Sequence, residues 1–222
     1  MENDREKNVT IIGAGFTGLS AAYYLSKKGY SVEIFESAPF IGGQASTILL
    51  SGFEIERGYH HLFTGDSDII ELIEQLDLKG TINWYESSVG IFDGENLFSF
   101  QTVLDLMKFN NIPLIDRIRL GLVTIYLKFK KNWKSLEMIT ASEWIKSRAG
   151  TKVFDEIWGP LLRGKFGDYF DEIGMPWFWG KIQTRFASRK GFNKEVLGYP
   201  SGSFKIILNK LYEEINKYGG EV

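Results

Sequence analysis

Three glycines near the start of the chain have the spacing of a dinucleotide-binding turn. The pattern Gly-x-Gly-x-x-Gly is formed by Gly13, Ala14, Gly15, Phe16, Thr17 and Gly18. The first glycine of this pattern allows a tight turn, the second lets the backbone approach a pyrophosphate, and the third lets helix and strand pack closely. Glu36 follows at the position where a carboxylate accepts hydrogen bonds from ribose hydroxyls, whereas an arginine there would suit a 2′-phosphate. These residues predict a site for the adenosine and pyrophosphate of a dinucleotide.

A strand, a helix and a second strand are needed to position these side chains. The run from Val9 to Ile12 is apolar and mostly β-branched, which is typical of a buried parallel strand. Helical spacing begins near Phe16 and stops at Gly29, and residues 31–35 alternate as a second strand. The free amides at the start of that helix would face the phosphates. A glycine-rich strand and helix without a ligand is the alternative, and the order of the elements favours the dinucleotide.

The segment after Glu36 resembles a family of flavoproteins. Gly42 and Gly43 begin six residues beyond Glu36, and Gln44 and Thr47 follow them. Together with Ser37, these residues resemble an extended FAD fingerprint of one flavoprotein superfamily. That superfamily contains amine oxidases, protoporphyrinogen oxidases, phytoene desaturases and UDP-galactopyranose mutases. The resemblance implies that the cofactor is FAD rather than NAD. The sequence departs from the family at Gln44, where an arginine near the phosphates is common. Gln44 loses that charge but keeps a hydrogen-bond donor.

The resemblance continues through Gly58, Tyr59, His60 and His61, since the corresponding family segment passes close to the isoalloxazine ring. His60 and His61 are the only histidines of the chain. Two interpretations stay open for each: a ring contact or proton relay near the flavin, and a histidine hydrogen-bonded within its loop. We expect no metal site, because two adjacent histidines cannot easily bind one ion and cysteine is absent.

The composition restricts the possible partners and location. The 222 residues are 44% apolar and 24% charged, which is ordinary for a globular protein. The formal net charge of −2 lacks the basic excess that is typical of nucleic-acid-binding proteins. The charged start shows no secretory signal, and the apolar run from Val9 to Leu25 is short for a membrane span and holds three glycines. We expect a cytoplasmic protein without a membrane span that acts on a small molecule.

The order of the predicted elements indicates an α/β fold: a doubly wound, Rossmann-like FAD-binding domain with a mainly helical inserted domain. We expect residues 1–90 and 198–222 to form the FAD-binding domain and residues 91–197 to form the insert. The resemblance covers essentially the whole chain and implies that the insert is the substrate or cap domain. Family chains run on for about as long again, so we expect an incomplete sheet that a second chain or a C-terminal half would complete.

Several local patterns predict individual elements. A turn at Ser51-Gly52 joins two alternating runs, residues 114–129 are amphipathic, and Thr140 with Glu143 forms a capping box. Ser67 or Asp68 would cap another helix that ends near Gly80. In the last predicted helix, one apolar face is formed by Phe204, Ile207, Leu208, Leu211, Tyr212 and Ile215.

Two surfaces of the insert invite a functional interpretation. Aromatic side chains between Trp158 and Trp179 cluster in the sequence with lysines and arginines, as in a site for a planar or phosphorylated substrate or in an aromatic core surrounded by solvated cations. Residues 128–134, KFKKNWK, would suit anionic lipid or nucleic acid. We interpret this stretch as a solvated helix end, because one short basic patch on a slightly acidic protein is weak evidence for binding to lipid or nucleic acid.

The resemblance implies a flavin-dependent oxidoreductase that removes hydride from an amine or from an unsaturated, largely apolar substrate. One alternative is a non-redox flavoenzyme that resembles UDP-galactopyranose mutase and acts on a nucleotide sugar. Another is an incomplete chain that is inactive on its own.

Overall fold

The computed structural model describes residues 7–187 and 195–222 of the chain. Its strands are β1 (Asn8–Ile12), β2 (Ser31–Phe35), β3 (Thr47–Leu50), β4 (Phe53–Glu56), β5 (Leu62–Phe63), β6 (Ile82–Glu86), β7 (Gly90–Phe92), β8 (Leu97–Ser99) and β9 (Val196–Pro200). Its α-helices are α1 (Phe16–Lys27), α2 (Ser67–Gln75), α3 (Val103–Lys108), α4 (Leu114–Phe129), α5 (Ala141–Arg148), α6 (Thr151–Val153), α7 (Gly159–Phe166), α8 (Met175–Ala187) and α9 (Lys205–Lys217). A π-helical segment, Phe154–Trp158, lies between α6 and α7.

Contacts within the chain divide it into two compact units. The first takes in the chain up to Leu62, Asp66–Tyr85 and Gly198–Val222, and the second takes in Phe63–Gly65 and Glu86–Leu197. The boundaries predicted from the sequence, 1–90, 91–197 and 198–222, stay a prediction about domains, because contact density does not show which segments fold independently.

The first unit is built on a β-α-β arrangement. Strands β1 and β2 pair in parallel, with Val9 opposite Val32 and Ile12 opposite Phe35. Helix α1 buries Leu19 and Ala22 completely, and α9 packs against α1. A parallel sheet with a helix crossing between neighbouring strands is the Rossmann-like arrangement that the sequence predicts.

The sheet gains a third, very short parallel member at the chain's carboxyl end. Glu33 and Glu221 form a parallel bridge; the amide of Ile34 donates to the carbonyl of Glu221 over 2.8 Å, and the amide of Glu221 donates to the carbonyl of Val32 over 2.9 Å. The residues of this extension therefore lie along the edge of β2.

One face of the β1–β2 pair is exposed in the described part of the chain and is apolar only where the two strands end. The rest of this face carries polar residues, namely Asn8, Thr10, Ser31 and Glu33. Ile12 and Phe35, which are paired across the two strands, are 82% and 52% exposed. Ile34 points to the other face and is buried. Parallel sheets are normally covered on both faces, so this side of the sheet is suited to a further layer of polypeptide.

The second unit has its own hydrophobic core, formed mainly by helices. Trp158 and Phe178 make an edge-to-face contact within it. Arg163 stacks over Phe170, while Lys165 and Lys181 lie over Trp177. Four of the other aromatic residues considered for a planar substrate pack against this core, namely Trp158, Phe170, Trp177 and Trp179, whereas Tyr169 is 67% exposed. This packing favours the aromatic core surrounded by cations, and the substrate site stays a prediction.

Two local expectations are corrected. Asp66, and neither Ser67 nor Asp68, is the residue before the first turn of α2. Tyr212 was expected on the buried face of α9, but it is 39% exposed, and the buried helical residues there are Ile207, Leu208, Leu211 and Ile215.

Candidate nucleotide-binding site

The turn between β1 and α1 presents backbone amides at the start of the helix. Gly13 has a φ of +98° and donates its amide to the carbonyl of Phe35 over 2.7 Å, which fixes the turn against β2. The first intrahelical bond of α1 runs from Leu19 to the carbonyl of Gly15 over 2.9 Å. The amides of Phe16, Thr17 and Gly18 precede it and have no helical acceptor, so they are available to an anion.

The second and third glycines of the pattern are needed for different reasons. A Cβ on Gly18 would lie 1.9 Å from the carbonyl oxygen of Gly13, so any side chain there would collide with the turn. A Cβ on Gly15 would have no protein atom within 4 Å. The space beside Gly15 is therefore open, as it must be if a phosphate is to approach the backbone there.

The Glu36 carboxylate is held against the glycine turn. Oε2 accepts the amide of Ala14 over 2.7 Å, and Oε1 accepts the amide of Ala38 over 2.9 Å and the hydroxyl of Ser37 over 3.4 Å. The amide of Ala38, followed by that of Ala14, lowers the pKa of Glu36 below its usual value. The group is thus stabilised as a carboxylate, and its further lone pairs remain available to ribose hydroxyls.

The second glycine segment lies directly against the first. Gly15 and Gly42 form a parallel bridge, and the amide of Gly42 donates to the carbonyl of Ala14 over 2.7 Å. Gly42 and Gly43 adopt φ values of +101° and +54°, in the left-handed region that glycine enters without strain. A Cβ on Gly43 would lie 3.5 Å from the Cα of Gly15. The structure thus brings together two loops that the sequence placed in one fingerprint.

Gln44, Thr47 and Gly58 continue this surface. The amide of Gly58 donates to the carbonyl of Gln44 over 2.9 Å, and a Cβ on Gly58 would lie 3.0 Å from Oε1 of Gln44. The hydroxyl of Thr47 donates to Glu54, whose other oxygen accepts from the ammonium of Lys205 over 2.6 Å. Thr47 therefore has acceptor lone pairs left for a ligand, while its donor is used within the protein.

His60 is oriented by its own loop. Its Nδ1 lies 2.5 Å from the carbonyl oxygen of Gly58; because a carbonyl only accepts, Nδ1 carries the proton, and Nε2 of the neutral ring is an acceptor. The ring of His61 lies 4.9 Å from that of Tyr59, which is 81% exposed. Both interpretations of the two histidines stay predictions.

One long-range contact beside the candidate site was missed by sequence reasoning. Both oxygens of Glu56 accept the hydroxyl of Tyr199, at 2.7 and 2.6 Å, and Oε1 also accepts the amide of Phe204 over 2.9 Å. Burial, followed by this hydrogen bond, raises the pKa of Tyr199. Glu56 thereby ties the β3–β4 hairpin to the start of α9. No local pattern reveals a contact between residues so far apart in the chain.

A cleft of about 670 Å³ opens beside Glu36 in the first unit. Its walls include Phe35, Phe40, Tyr212 and Val222. The cleft is open to one side and has aromatic walls next to three glutamates, Glu33, Glu36 and Glu221, which suits a flat, polar group without negative charge, such as a nucleoside.

Within residues 7–187 and 195–222, no three histidine, aspartate or glutamate side chains are grouped so that they would hold a metal ion. In the same residues no helix has both the length and the apolar character needed to cross a membrane.

Residues 11–76 match the NAD(P)-binding Rossmann-like domain family. The mitochondrial protoporphyrinogen oxidase of Nicotiana tabacum is 27% identical over 190 residues, which are 82% of this chain and 38% of that protein. The chloroplastic/chromoplastic zeta-carotene desaturase of Zea mays is 27% identical over 179 residues, which are 69% of this chain and 31% of that protein.

A variant of putrescine oxidase has a similar solved structure, with a TM-score of 0.69 and 16% identity over 96% of this chain and 50% of that one. This likeness shows the fold. The chain is thus a relative of oxidases and desaturases and spans half or less of their length.

Proposed function

We propose that the first unit binds FAD and that the chain is part of a flavin-dependent oxidoreductase. The substrate would be a small amine or an unsaturated, largely apolar molecule that loses hydride. The observation that carries the proposal is the joining of three separate segments, through Gly15, Glu36 and Gly42, around open space at the start of α1. Kinship to oxidases and desaturases supports the reaction class.

The residues present fit the adenosine and pyrophosphate parts of FAD. The free amides of Phe16, Thr17 and Gly18 would bind phosphate oxygens, and Glu36 would accept ribose hydroxyls. The neighbouring cleft would hold the adenine, and the amide of Gln44 would supply a donor where the family often has an arginine. Bound flavin would supply the redox chemistry, and the chain's own residues bind and orient it.

The flavin-ring end of the site would be approached by Gly58, Tyr59 and the two histidines. His60, fixed by its bond to Gly58, would present Nε2 as an acceptor. We include in the proposal a cytoplasmic location and a further polypeptide, either a second chain or a C-terminal half, that covers the exposed face carrying Ile12 and Phe35. The shares of its relatives that the chain spans are consistent with such a half.

FAD titration of the purified chain tests the proposal, with binding followed by quenching of flavin fluorescence. Gly15→Val should abolish binding, because its side chain would occupy the open space beside the turn. Gly180→Val is the matched control, since a Cβ at this glycine of α8 also meets no atom within 4 Å. Equal FAD affinity of the two variants and the wild type would refute the assignment. Similarity to flavoprotein relatives does not by itself predict that Gly15→Val and Gly180→Val differ in FAD affinity.

A further inference from the structure

Helix α4 is apolar on two opposite faces. Its inner face buries Leu120 and Leu127, which are 4% and 1% exposed. The opposite side also carries large apolar side chains, all between 46% and 72% exposed: Leu114, Ile115, Ile118, Leu122, Ile125, Tyr126 and Phe129. We call these seven residues the outer face of α4. A helix at a protein surface normally turns polar residues to that side, so this face is suited to a covering partner.

The outer face is continuous. At about 100° per residue the seven side chains fall within a sector of about 120°. No charged residue lies in that sector, and Arg119 and Lys128 stand at its two borders. Single exposed apolar residues are ordinary, but a continuous apolar strip over four turns marks an interaction surface.

Lysines and aromatic rings extend this surface at the end of the helix. Residues 126–136 hold Lys128, Lys130, Lys131 and Lys134 and no acidic residue, in a protein whose net charge is −2. Trp133 among them is 40% exposed. Lys128, Lys131 and Lys134 form no ion pair with a carboxylate of the described residues. An apolar helix face bordered by lysine and tryptophan is typical of a helix lying in the headgroup layer of a bilayer.

The last carbonyls of α4 are satisfied by another helix. Nε2 of Gln183 donates to the carbonyls of Leu127 and Lys128 over 2.6 and 3.0 Å, and Nε1 of Trp179 donates to that of Lys130 over 2.9 Å. The helix end is thus held by α8. The lysine ammonium groups are therefore not required to cap the helix. Lys128 lies over the rings of Phe129 and Phe186, 5.5 and 4.9 Å from their centroids, but it is exposed like Lys131 and Lys134, so all three can serve a partner.

We propose that the outer face of α4 and the lysines at its end bind the surface of an anionic lipid bilayer. With 16 residues, α4 is too short to span a bilayer, and it lies parallel to the surface with its apolar sector among the acyl chains. A second copy of the same surface would add four more lysines and no carboxylates, so charge complementarity favours lipid phosphates. This binding replaces the solvated helix end that we inferred from the sequence.

Co-sedimentation of the 222-residue chain with vesicles tests the proposal. We expect binding to vesicles of phosphatidylcholine mixed with phosphatidylglycerol and much weaker binding to phosphatidylcholine alone. Changing Lys128, Lys131 and Lys134 together to Gln should weaken binding about fivefold per lysine, on the order of 100-fold in total, and should reduce its dependence on salt.

The apolar part is tested with the double variant Leu122→Glu/Ile125→Glu, which should lose binding by at least about 100-fold. Both residues are exposed, and circular dichroism and the thermal midpoint check that the variant is folded. Leu49→Glu is the matched control, because Leu49 is a leucine of the first unit with 71% exposure. It should bind vesicles like the wild type.

The lack of cysteine allows a direct readout of depth. A polarity-sensitive fluorophore on Leu122→Cys should shift to shorter wavelength with anionic vesicles, and the same label on Leu49→Cys should not. The proposal is overturned if the wild type fails to bind vesicles, or if the double variant binds as well as the control. It is also overturned if the double variant instead dissociates a dimer of the chain. None of these measurements requires FAD, so their outcome is independent of the proposed function.

Discussion

The amide of Ala14 and the carboxylate of Glu36 are joined over 2.7 Å, so the acidic residue at the end of β2 is fixed to the glycine turn 22 positions earlier. Substitution of Glu36 should therefore change both the proposed ribose contact and the geometry of the glycine turn. The two effects act in the same direction on nucleotide binding.

We expect Glu36→Ala to weaken FAD binding by roughly ten- to 150-fold, the range for hydrogen bonds to a charged group. Calorimetric titration measures the affinity. Glu71→Ala, at an exposed glutamate of α2, is the control and should leave the affinity unchanged. Equal FAD affinities for these two variants would mean that Glu36 does not contact the cofactor.

Gly18→Ala should destabilise the protein, because its Cβ would lie 1.9 Å from the carbonyl oxygen of Gly13. Relief of that overlap requires a backbone shift, for which we expect a loss of about 1–3 kcal/mol in the free energy of unfolding. Urea unfolding measures this loss. Gly15→Ala is the comparison, since it meets no atom within 4 Å and should keep the stability while weakening FAD binding. The reverse pattern would contradict the roles assigned to the two glycines.

Acid should weaken the link between the β3–β4 hairpin and α9. Lys205, followed by Thr47, lowers the pKa of Glu54 from its ordinary value of 4.5. A group with a depressed folded-state pKa contributes its full stability above 4.5 and loses it as the pH falls through the folded-state value. The free energy of unfolding of the wild type should therefore fall more between neutral pH and about pH 3 than that of the Glu54→Gln variant. Parallel pH profiles for the two proteins would rule out this contribution.

Thr140→Ala should cost about 1 kcal/mol of stability, since it removes the side-chain acceptor for the amide of Glu143 at the start of α5. Thr140→Ser keeps the hydroxyl and should recover most of the loss. Thermal unfolding followed by circular dichroism measures both changes. If the serine variant is as unstable as the alanine variant, the capping bond is not the cause.

The isolated chain should bind FAD weakly and show no turnover, because the exposed face bearing Ile12 and Phe35 leaves one side of the sheet uncovered. The visible flavin spectrum after gel filtration measures the amount of retained cofactor. A stoichiometric, tightly bound flavin would show that these 222 residues suffice for the site.

Elements governed by neighbouring residues were predictable from the sequence. The limits of α4, the turn at Ser51-Gly52 and the capping box of Thr140 depend on residues only a few positions apart. A second capping box, Thr102 with Asp105, also depends on residues three positions apart, although the sequence analysis did not predict it.

The remaining features depend on distant contacts. Glu56 accepts a hydrogen bond from Tyr199, which lies 143 positions away in the sequence, and no pattern within either segment predicts that bond. The spacing correctly indicated the helix α4, but the expected amphipathic character was wrong, because apolar residues occupy two opposite faces. Periodicity does not show which apolar side is covered. Leu122 and Ile125 are exposed because no other element of the described chain covers them, and the local sequence pattern does not encode that packing.

The bridge between Gly15 and Gly42 also has a consequence for mutational thermodynamics. Two loops that share backbone hydrogen bonds cannot relax separately, so a displacement of one is transmitted to the other. The free-energy changes of single substitutions in the two loops should then fail to add, and the difference measures how strongly the loops are coupled. Evolution or engineering of the proposed cofactor site would therefore have to alter both loops together.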